Sequence, residues 1–288
     1  MTPRTPAAAQ RPGENRPTSP APLRGGRPGT PGSASEECQG SRRDDRRANW
    51  NGSQDPVSTR TSGTSVHAQA LEASEYDRWF DRPWGKYSFG IELGSVLEAV
   101  GPLSHEMHIL DAGCGTGRFT TAFEAGGADV VGLDLDGAML DIASTRARGP
   151  LVLGDVHRIP FRDGSFDRVV SLMLCEFSGD PGRVLAELAR VTRPGGRVVI
   201  GALNPRSPWG LRWRGRLRRA PWKSARFLPP SILVALARQF GRVSIRGSLY
   251  APGPIAGLQT LGPLLERVAR LAPRFGAFQL VTIDRSEP

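Results

Sequence analysis

The chain has 288 residues, of which 38 are Lys or Arg and 28 are Asp or Glu, giving a formal charge of +10. Its cysteines, Cys38, Cys114 and Cys175, are far apart and form no C-x-x-C pair, which argues against a disulfide framework or a bound metal such as zinc. No apolar run reaches the roughly 18 residues of a membrane helix, and the N-terminal residues lack the apolar stretch of a signal peptide, so we expect a cytoplasmic protein.

The N-terminal third divides into two predicted parts. Residues 1–66 are rich in Pro, Gly, Arg, Ser and Thr and have little apolar surface to bury, which predicts a disordered tail. Residues 67–106 are predicted to form a helical N-terminal lid, because aromatic residues come just before a helical run from Ile91 to Val100. These aromatic residues are Tyr76, Trp79, Phe80, Trp84, Tyr87 and Phe89. They are compatible both with a plug at one end of the core and with a lid over a ligand.

From residue 107 to 288 short apolar strands alternate with helices. The predicted strands are centred on Leu110, Val131, Val152, Val169 and Val198, and two more follow at Val243–Tyr250 and Phe275–Ile283, with a helix at Leu264–Leu271 between them. Strands that alternate with helices through short connections predict right-handed βαβ units. We therefore predict an α/β, Rossmann-like domain with a mostly parallel sheet and helices on both faces.

The stretch His108–Phe119 reads HILDAGCGTGRF, in which a buried strand ends at Asp111 and three glycines follow at alternate positions before a helix begins. Glycines at such a turn let the backbone adopt positive φ and let a ligand approach closely. The G-x-G-x-G spacing differs from the G-x-G-x-x-G pattern of dinucleotide-binding proteins. Two further predicted strands are followed by acids, Asp134 and Asp155, at the sheet edge where parallel α/β proteins bind ligands.

These acids indicate the kind of ligand. A carboxylate at Asp134, 17 residues after Gly117, suits two ribose hydroxyls, and one at Asp155 suits the exocyclic amine of adenine. The residues by themselves therefore predict a cofactor that contains adenosine, with NAD and other such cofactors still open.

Taken together, these motifs resemble the class I S-adenosylmethionine-dependent methyltransferases, of the small-molecule "methyltransferase type 11" kind. The resemblance runs from about Tyr76 to Asn204. Its motifs are Leu110–Gly117, Val131–Asp134, Gly154–Asp155, Pro160–Phe161, Asp163–Asp167 and Arg193–Gly196. It implies a seven-stranded sheet whose last strand is antiparallel, and S-adenosyl-L-methionine as the cofactor.

The resemblance also implies roles for individual residues. The residues implied to bind the cofactor are Asp111, Gly113, Cys114, Gly115, Gly117, Asp134, Leu135, Met139, Asp155, Val156 and Tyr76. Asp111 and the glycines would flank the methionine moiety, Asp134 would hold the ribose, and Asp155 would hold the adenine amine. Val156 would contact the adenine ring through its backbone.

The expected reaction is in-line transfer of the sulfonium methyl group to a small-molecule acceptor. A general base is needed only if that acceptor must lose a proton. Glu176, after the fourth strand, is the candidate base. Cys175 and His157 are alternative candidates. The competing interpretation is that Cys175 only packs in the core and that His157 is only a loop histidine.

Charge distribution keeps other functions open. Residues 188–265 contain 14 Lys or Arg and no Asp or Glu, and tryptophans alternate with arginines in a basic insert at about 205–230. Such a surface suits an RNA methyltransferase, an acidic or quinone-like substrate, or peripheral membrane contact. Against RNA, Ser171–Leu174 stands where amino-methylating enzymes have an Asn/Asp-Pro-Pro-aromatic motif. A protein that binds S-adenosylmethionine without catalysis, or an NAD oxidoreductase, is a further alternative.

Overall fold

The structure is a computed structural model that describes residues 66–213, 225–250, 266 and 272–287. The predicted disordered tail lies outside the described residues apart from Val66. The middle of the basic insert also lies outside them, as does the predicted helix Leu264–Leu271 apart from Glu266.

Seven strands form one sheet in the order β3-β2-β1-β4-β5-β7-β6. The strands are β1 (His108–Ala112), β2 (Asp129–Asp134), β3 (Leu151–Leu153), β4 (Phe166–Leu172), β5 (Thr192–Leu203), β6 (Arg242–Ser248) and β7 (Phe278–Asp284). Strands β1 to β5 pair in parallel, whereas β7 runs antiparallel to both β5 and β6. The predicted α/β sheet with an antiparallel last strand is therefore confirmed.

Helices surround this sheet. The α-helices of the described residues are α1 (Val66–Trp79), α2 (Pro83–Val100), α3 (Arg118–Ala125), α4 (Gly137–Ser144), α5 (Pro181–Val191), α6 (Pro208–Trp213) and α7 (Pro230–Ala237). Short 3₁₀ helices cover Arg238–Phe240 and Pro273–Phe275. None of the described helices combines the length and the apolar character needed to cross a bilayer.

The N-terminal helices begin earlier than the sequence indicated. The predicted run Ile91–Val100 is only the second half of α2, which starts at Pro83. The fixed φ of proline suits the first position of a helix. The aromatic residues thus lie mainly inside α1 and α2 rather than before a helix. Gly90 and Gly94 interrupt the apolar spacing of α2. The apolar periodicity therefore did not predict the first half of this helix.

Two apolar layers hold the helices to the sheet, because successive strand residues point to opposite faces. On β1, Ile109 belongs to one layer and Leu110 to the other. Helix α5 buries Leu185 and Leu188 completely on one face of the sheet. Helix α2 buries Val96 on the opposite face. Helices therefore cover both faces, and the ligand-binding surface is left to the strand ends.

The strand order places a crevice at one edge of the sheet. From β1 the chain steps outward to β2 and β3, and then crosses to β4 on the other side of β1. Ligands bind at such a switch point, outside the carboxyl ends of the strands. Asp111 lies near the end of β1, Asp134 ends β2, and Asp155 comes two residues after β3. The three acids are therefore at the edge that the sequence predicted.

Candidate active site

The turn between β1 and α3 has a backbone that requires glycine. Gly113, Gly115 and Gly117 have φ values of 81°, 53° and 77°, in the region that side chains disfavour. A Cβ at Gly113 would collide with Leu174, and one at Gly117 would meet the Cβ of Ala143 at 3.0 Å. At Gly115 no described atom would lie within 4 Å of such a Cβ. The turn is thus packed on two sides and open at Gly115, where a ligand can lie against the backbone.

A cleft with an empty volume of about 380 Å³ opens beside this turn. Tyr76 of α1 and Phe80, the residue directly after α1, line it, as do Leu172 and Met173 at the end of β4. Its other lining residues are Asp111, Gly113, Cys114, Gly115, Thr116, Arg118 and Phe119. The aromatic-rich N-terminal segment therefore contacts both the cleft, through Tyr76 and Phe80, and the core, where Phe89 packs on Phe119 with ring centroids 5.0 Å apart. Its role as a lid stays a prediction.

Asp134 fastens the glycine turn to the end of β2. Its Oδ2 accepts the N–H of Gly115 at 2.8 Å, and its Oδ1 accepts the N–H of Asp136 at 2.9 Å. Burial raises the pKa of Asp134, and these two hydrogen bonds oppose that shift. Each carboxylate oxygen has more than one lone pair, so Asp134 can hold the turn and still accept from ribose hydroxyls.

Asp111 presents a second, deeply buried carboxyl to the cleft. The residue is 2% exposed, and its Oδ2 accepts a hydrogen bond from the hydroxyl of Thr120 at 2.6 Å. Burial raises the pKa of Asp111 to about 7. A cationic group bound in the cleft would favour its ionised form. This chemistry fits the ammonium group of a bound amino acid moiety.

His157 bridges the third acid to the loop that follows β4. Its backbone N–H and its Nδ1 lie 2.8 Å and 2.7 Å from Oδ1 of Asp155, and its Nε2 lies 2.8 Å from the hydroxyl of Ser178. Burial raises the pKa of Asp155, but the hydrogen bonds from His157 outweigh it and lower that pKa. Oδ2 of Asp155 accepts no hydrogen bond from the described residues and is available to a ligand amine. Sequence reasoning missed the bridge, because Ser178 is 21 residues from His157.

We expect His157→Ala to weaken S-adenosylmethionine binding several-fold, because Asp155 would lose the ring that fixes its carboxylate. Loss of the two ring contacts should also lower the free energy of unfolding by about 1 kcal/mol. Isothermal titration and thermal melting measure the two effects. His105→Ala, at an exposed loop position, is the matched control. Wild-type affinity in His157→Ala would contradict a positioning role for this bridge.

One carboxylate, that of Asp77, fastens α1 to the glycine turn. It accepts hydrogen bonds from the hydroxyl of Thr116 at 2.7 Å, from Nε of Arg118 at 2.8 Å, and from both terminal nitrogens of Arg146 at 2.9 Å. Its side chain is only 15% exposed. Although burial opposes ionisation, these bonds hold the pKa of Asp77 well below its usual range. We call this set of contacts between Asp77 and Thr116, Arg118 and Arg146 the clamp. The partners of Asp77 lie 39 to 69 residues away in the chain, so no spacing pattern predicted the clamp.

The candidate base Glu176 lies deeper than the cleft. Its Oε1 accepts the N–H of Leu203 at 2.7 Å, while its Oε2 is buried without a hydrogen-bond partner in the described part of the chain. Burial raises the pKa of Glu176 to about 7. Leu203 itself lines a second pocket of about 230 Å³. Glu176 therefore does not line the same pocket as Asp111, but faces the end of β5.

The other predicted residues take different positions. Cys175 is 1% exposed and belongs to the core, where burial raises the pKa of its thiol to about 12. Cys114 is also buried, and burial raises its pKa as well. Val156 is buried, Met139 is half-buried, and Leu135 is 60% exposed directly after Asp134. Leu135 thus offers apolar surface beside the proposed ribose site.

Comparison with known proteins agrees with this geometry. Residues 110–200 match the family model described as a methyltransferase domain. The malonyl-[acyl-carrier protein] O-methyltransferase of Serratia marcescens is 34% identical over 148 residues, which are 50% of this chain and 56% of that protein. The chain thus spans about half the length of the relatives of this kind that it matches.

A longer match covers most of another relative. The ubiquinone biosynthesis O-methyltransferase of Bordetella bronchiseptica is 30% identical over 221 residues, which are 68% of this chain and 90% of that protein. A solved structure from Thermotoga maritima, a possible histamine N-methyltransferase, shares the fold with a TM-score of 0.60 and 24% identity, over 77% of this chain and 100% of that one. The chain belongs to the class I S-adenosylmethionine-dependent methyltransferases, and its cofactor is S-adenosyl-L-methionine.

Proposed function

We propose that the protein transfers the methyl group of S-adenosylmethionine to a small-molecule acceptor. The observation that carries this proposal is the arrangement at the sheet edge. There the glycine turn is open at Gly115, Asp134 keeps lone pairs for ribose, and Asp155 keeps a free oxygen for an amine. Relatives named for O-methylation in ubiquinone biosynthesis and of malonyl-[acyl-carrier protein] support an acceptor of this class.

In this proposal the main contribution of the protein is to bind the cofactor and align it with the acceptor. S-adenosylmethionine, when bound, supplies a methyl group on a sulfonium that is already a good leaving group. Asp111 and the turn from Gly113 to Gly117 would hold its methionine moiety, Asp134 its ribose and Asp155 its adenine amine. Alignment of two reactants in this way can contribute roughly 7–11 kcal/mol to lowering the barrier.

An aromatic cluster supports an apolar or aromatic acceptor. Trp84 of α2 stacks on Tyr87 with ring centroids 5.3 Å apart and on Trp209 of α6 at 6.3 Å. Trp209 and Phe227 line the second pocket together with Leu203, the last residue of β5, whose N–H donates to Glu176. Flat apolar molecules bind well against such rings. We propose that this pocket belongs to the acceptor side of the active site.

We also propose Glu176 as the general base for an acceptor that must lose a proton. The support is its partnerless Oε2 and its pKa near 7, a value suited to proton transfer at neutral pH. In Glu176→Gln the amide oxygen can still accept from Leu203, so we expect the melting temperature to stay close to that of wild type. Methyl transfer should fall by about 10² to 10⁴-fold.

Glu176→Ala provides the contrast for that variant. It leaves the N–H of Leu203 without an acceptor, which should lower the free energy of unfolding by about 1–3 kcal/mol. If Glu176→Gln keeps full activity while Glu176→Ala is unstable, Glu176 is a structural acceptor and not a base.

The function itself is tested with methyl-labelled S-adenosylmethionine and two acceptor pools, a small-molecule extract and total RNA. We expect label in the small-molecule fraction with the wild-type protein. Label in RNA alone would instead favour a nucleic-acid methyltransferase, for which the basic segment 188–265 is the supporting observation.

Some of the positive charge of that segment is already paired within the fold. Arg190 pairs with Glu187 and Asp163, and Arg193 pairs with Asp167. Two more of its arginines pair with acids elsewhere in the fold, Arg197 with Asp284 and Arg246 with Glu98. These four positive charges are paired with acids of the domain, which leaves fewer arginines for a phosphate backbone than the composition of the segment indicates. The arginines of residues 214–224 lie outside the described residues.

A further inference from the structure

Thr120 on α3 is a buried hydroxyl residue that the proposed function has not used. It is 1% exposed, and its Oγ1 donates to Oδ2 of Asp111 at 2.6 Å. Asp111 lines the cleft, whereas Thr120 lies behind it and is not among the lining residues. Thr120 is therefore placed to act on a bound molecule through the Asp111 carboxylate.

The neighbouring threonine makes a different contact. Hydroxyl groups of Ser and Thr in helices commonly donate to the carbonyl oxygen four residues earlier, and Oγ1 of Thr121 does so, to Gly117 at 2.7 Å. Thr120 instead donates out of its helix to Asp111, nine residues earlier on β1. Its hydroxyl thus joins the first turn of α3 to the end of β1, across the glycine turn.

The same hydroxyl also favours the ionised form of Asp111. Burial raises the pKa of Asp111, and the hydrogen bond from the Thr120 side chain opposes that rise. The charge of Asp134 raises this pKa further, and the backbone N–H of Thr120 lowers it. Hydrogen bonds donated to a carboxylate stabilise its charged form. Thr120 therefore both orients the Asp111 carboxylate and supports its negative charge.

A bound ammonium group can supply the positive charge that this carboxylate needs. Arg118 is the cation that lines the cleft in the described part of the chain, and its guanidinium is held by Asp77 and Asp81. S-adenosylmethionine and S-adenosylhomocysteine both carry an ammonium group on their amino acid moiety. The nucleoside 5′-methylthioadenosine has the same adenosine and a thioether but no amino acid moiety.

We propose that Thr120 is a positioning residue that holds the Asp111 carboxylate toward the ammonium group of the cofactor, so that the cleft selects nucleosides with an amino acid moiety. The inference rests on the proposed function, because it needs the methionine moiety beside Asp111. Residues behind a binding group commonly fix its geometry in this way. Since Thr120 acts through Asp111, its loss should weaken the binding of one part of the ligand and spare the rest.

Isothermal titration of wild type and Thr120→Val tests this with S-adenosylmethionine, S-adenosylhomocysteine and 5′-methylthioadenosine. Valine keeps the volume of threonine but places a methyl group against the carboxylate instead of a hydroxyl. We expect the two ligands with an amino acid moiety to bind about tenfold more weakly, because the lost hydrogen bond is to a charged group. We expect 5′-methylthioadenosine to bind as it does to wild type. Thr120→Ser keeps the hydroxyl and should restore the wild-type affinities.

Thr121→Val is the matched control, because the Thr121 hydroxyl is in the same helical turn but donates to Gly117. It should leave the ratio of the S-adenosylhomocysteine and 5′-methylthioadenosine affinities unchanged. Thr120→Ala also removes the hydroxyl, and it gives the same comparison if Thr120→Val does not fold.

Three results would overturn the inference while the proposed function stands. They are equal weakening of all three ligands in Thr120→Val, wild-type affinity for all three in that variant, and a Thr120→Ser variant that binds S-adenosylhomocysteine as weakly as Thr120→Val does. If the wild-type protein binds neither S-adenosylmethionine nor S-adenosylhomocysteine, the proposed function fails and the inference fails with it.

Discussion

Asp134→Ala is expected to weaken S-adenosylmethionine binding by about 100-fold or more. A hydrogen bond to a charged group contributes about 1.5–3 kcal/mol, and the carboxylate is proposed to accept from two ribose hydroxyls. The same substitution also frees the N–H groups of Gly115 and Asp136 that Asp134 holds. The glycine turn would then lose its tie to β2 as well as its ribose acceptor. Isothermal titration with S-adenosylmethionine measures the change.

Asp129→Ala is the control for that substitution. Asp129 is at the other end of the same strand, and its side chain is 50% exposed beside His108. Its removal should leave cofactor affinity unchanged. A loss of affinity of less than about tenfold in Asp134→Ala would show that the ribose is not held at the end of β2.

Asp77→Asn is expected to lower the free energy of unfolding by about 3 kcal/mol. The substitution breaks a partly buried ion pair and leaves Arg118 and Arg146 without their shared carboxylate, which is costly in such settings. It should also weaken cofactor binding, because Tyr76 of α1 and Phe80 directly after it line the cleft. Urea unfolding and isothermal titration measure the two effects.

Asp81→Asn is the control that distinguishes the loss of the clamp from the loss of an ordinary surface ion pair. Asp81 also contacts Arg118, at 3.3 Å, but its side chain is 62% exposed. An exposed pair of this kind contributes about 0–1 kcal/mol. Equal destabilisation by Asp77→Asn and Asp81→Asn would contradict a clamp centred on Asp77.

The clamp also predicts a pH dependence. The pKa of Asp77 is lower in the folded protein than its unfolded value of about 4. Its contribution to stability is therefore present above that unfolded value and is lost as the pH falls through the folded value. The difference in stability between wild type and Asp77→Asn should accordingly shrink below about pH 4.

The sheet and its ligand-binding edge could be predicted because they depend on short-range patterns. Apolar strands, alternating helices and acids at Asp111, Asp134 and Asp155 are features of neighbouring residues. The glycine turn was equally readable, since positive φ at Gly113, Gly115 and Gly117 is a property of the backbone itself.

The contacts around the cleft could not be predicted, because they join side chains that are distant in sequence. Asp77 meets Arg146 across 69 residues, and His157 meets Ser178 across 21. Glu92 and Glu98 look alike as polar positions in one helical run. Only the packing of α2 on the sheet buries the first and exposes the second.

The structure of the protein with S-adenosylhomocysteine bound tests the central proposal most directly. We predict that the homocysteine moiety lies along Gly113–Gly117, with the ribose hydroxyls within hydrogen-bond distance of the Asp134 carboxylate. The adenine amine should lie within the same distance of Oδ2 of Asp155. A ligand bound away from the glycine turn, or a ribose out of reach of Asp134, would contradict it.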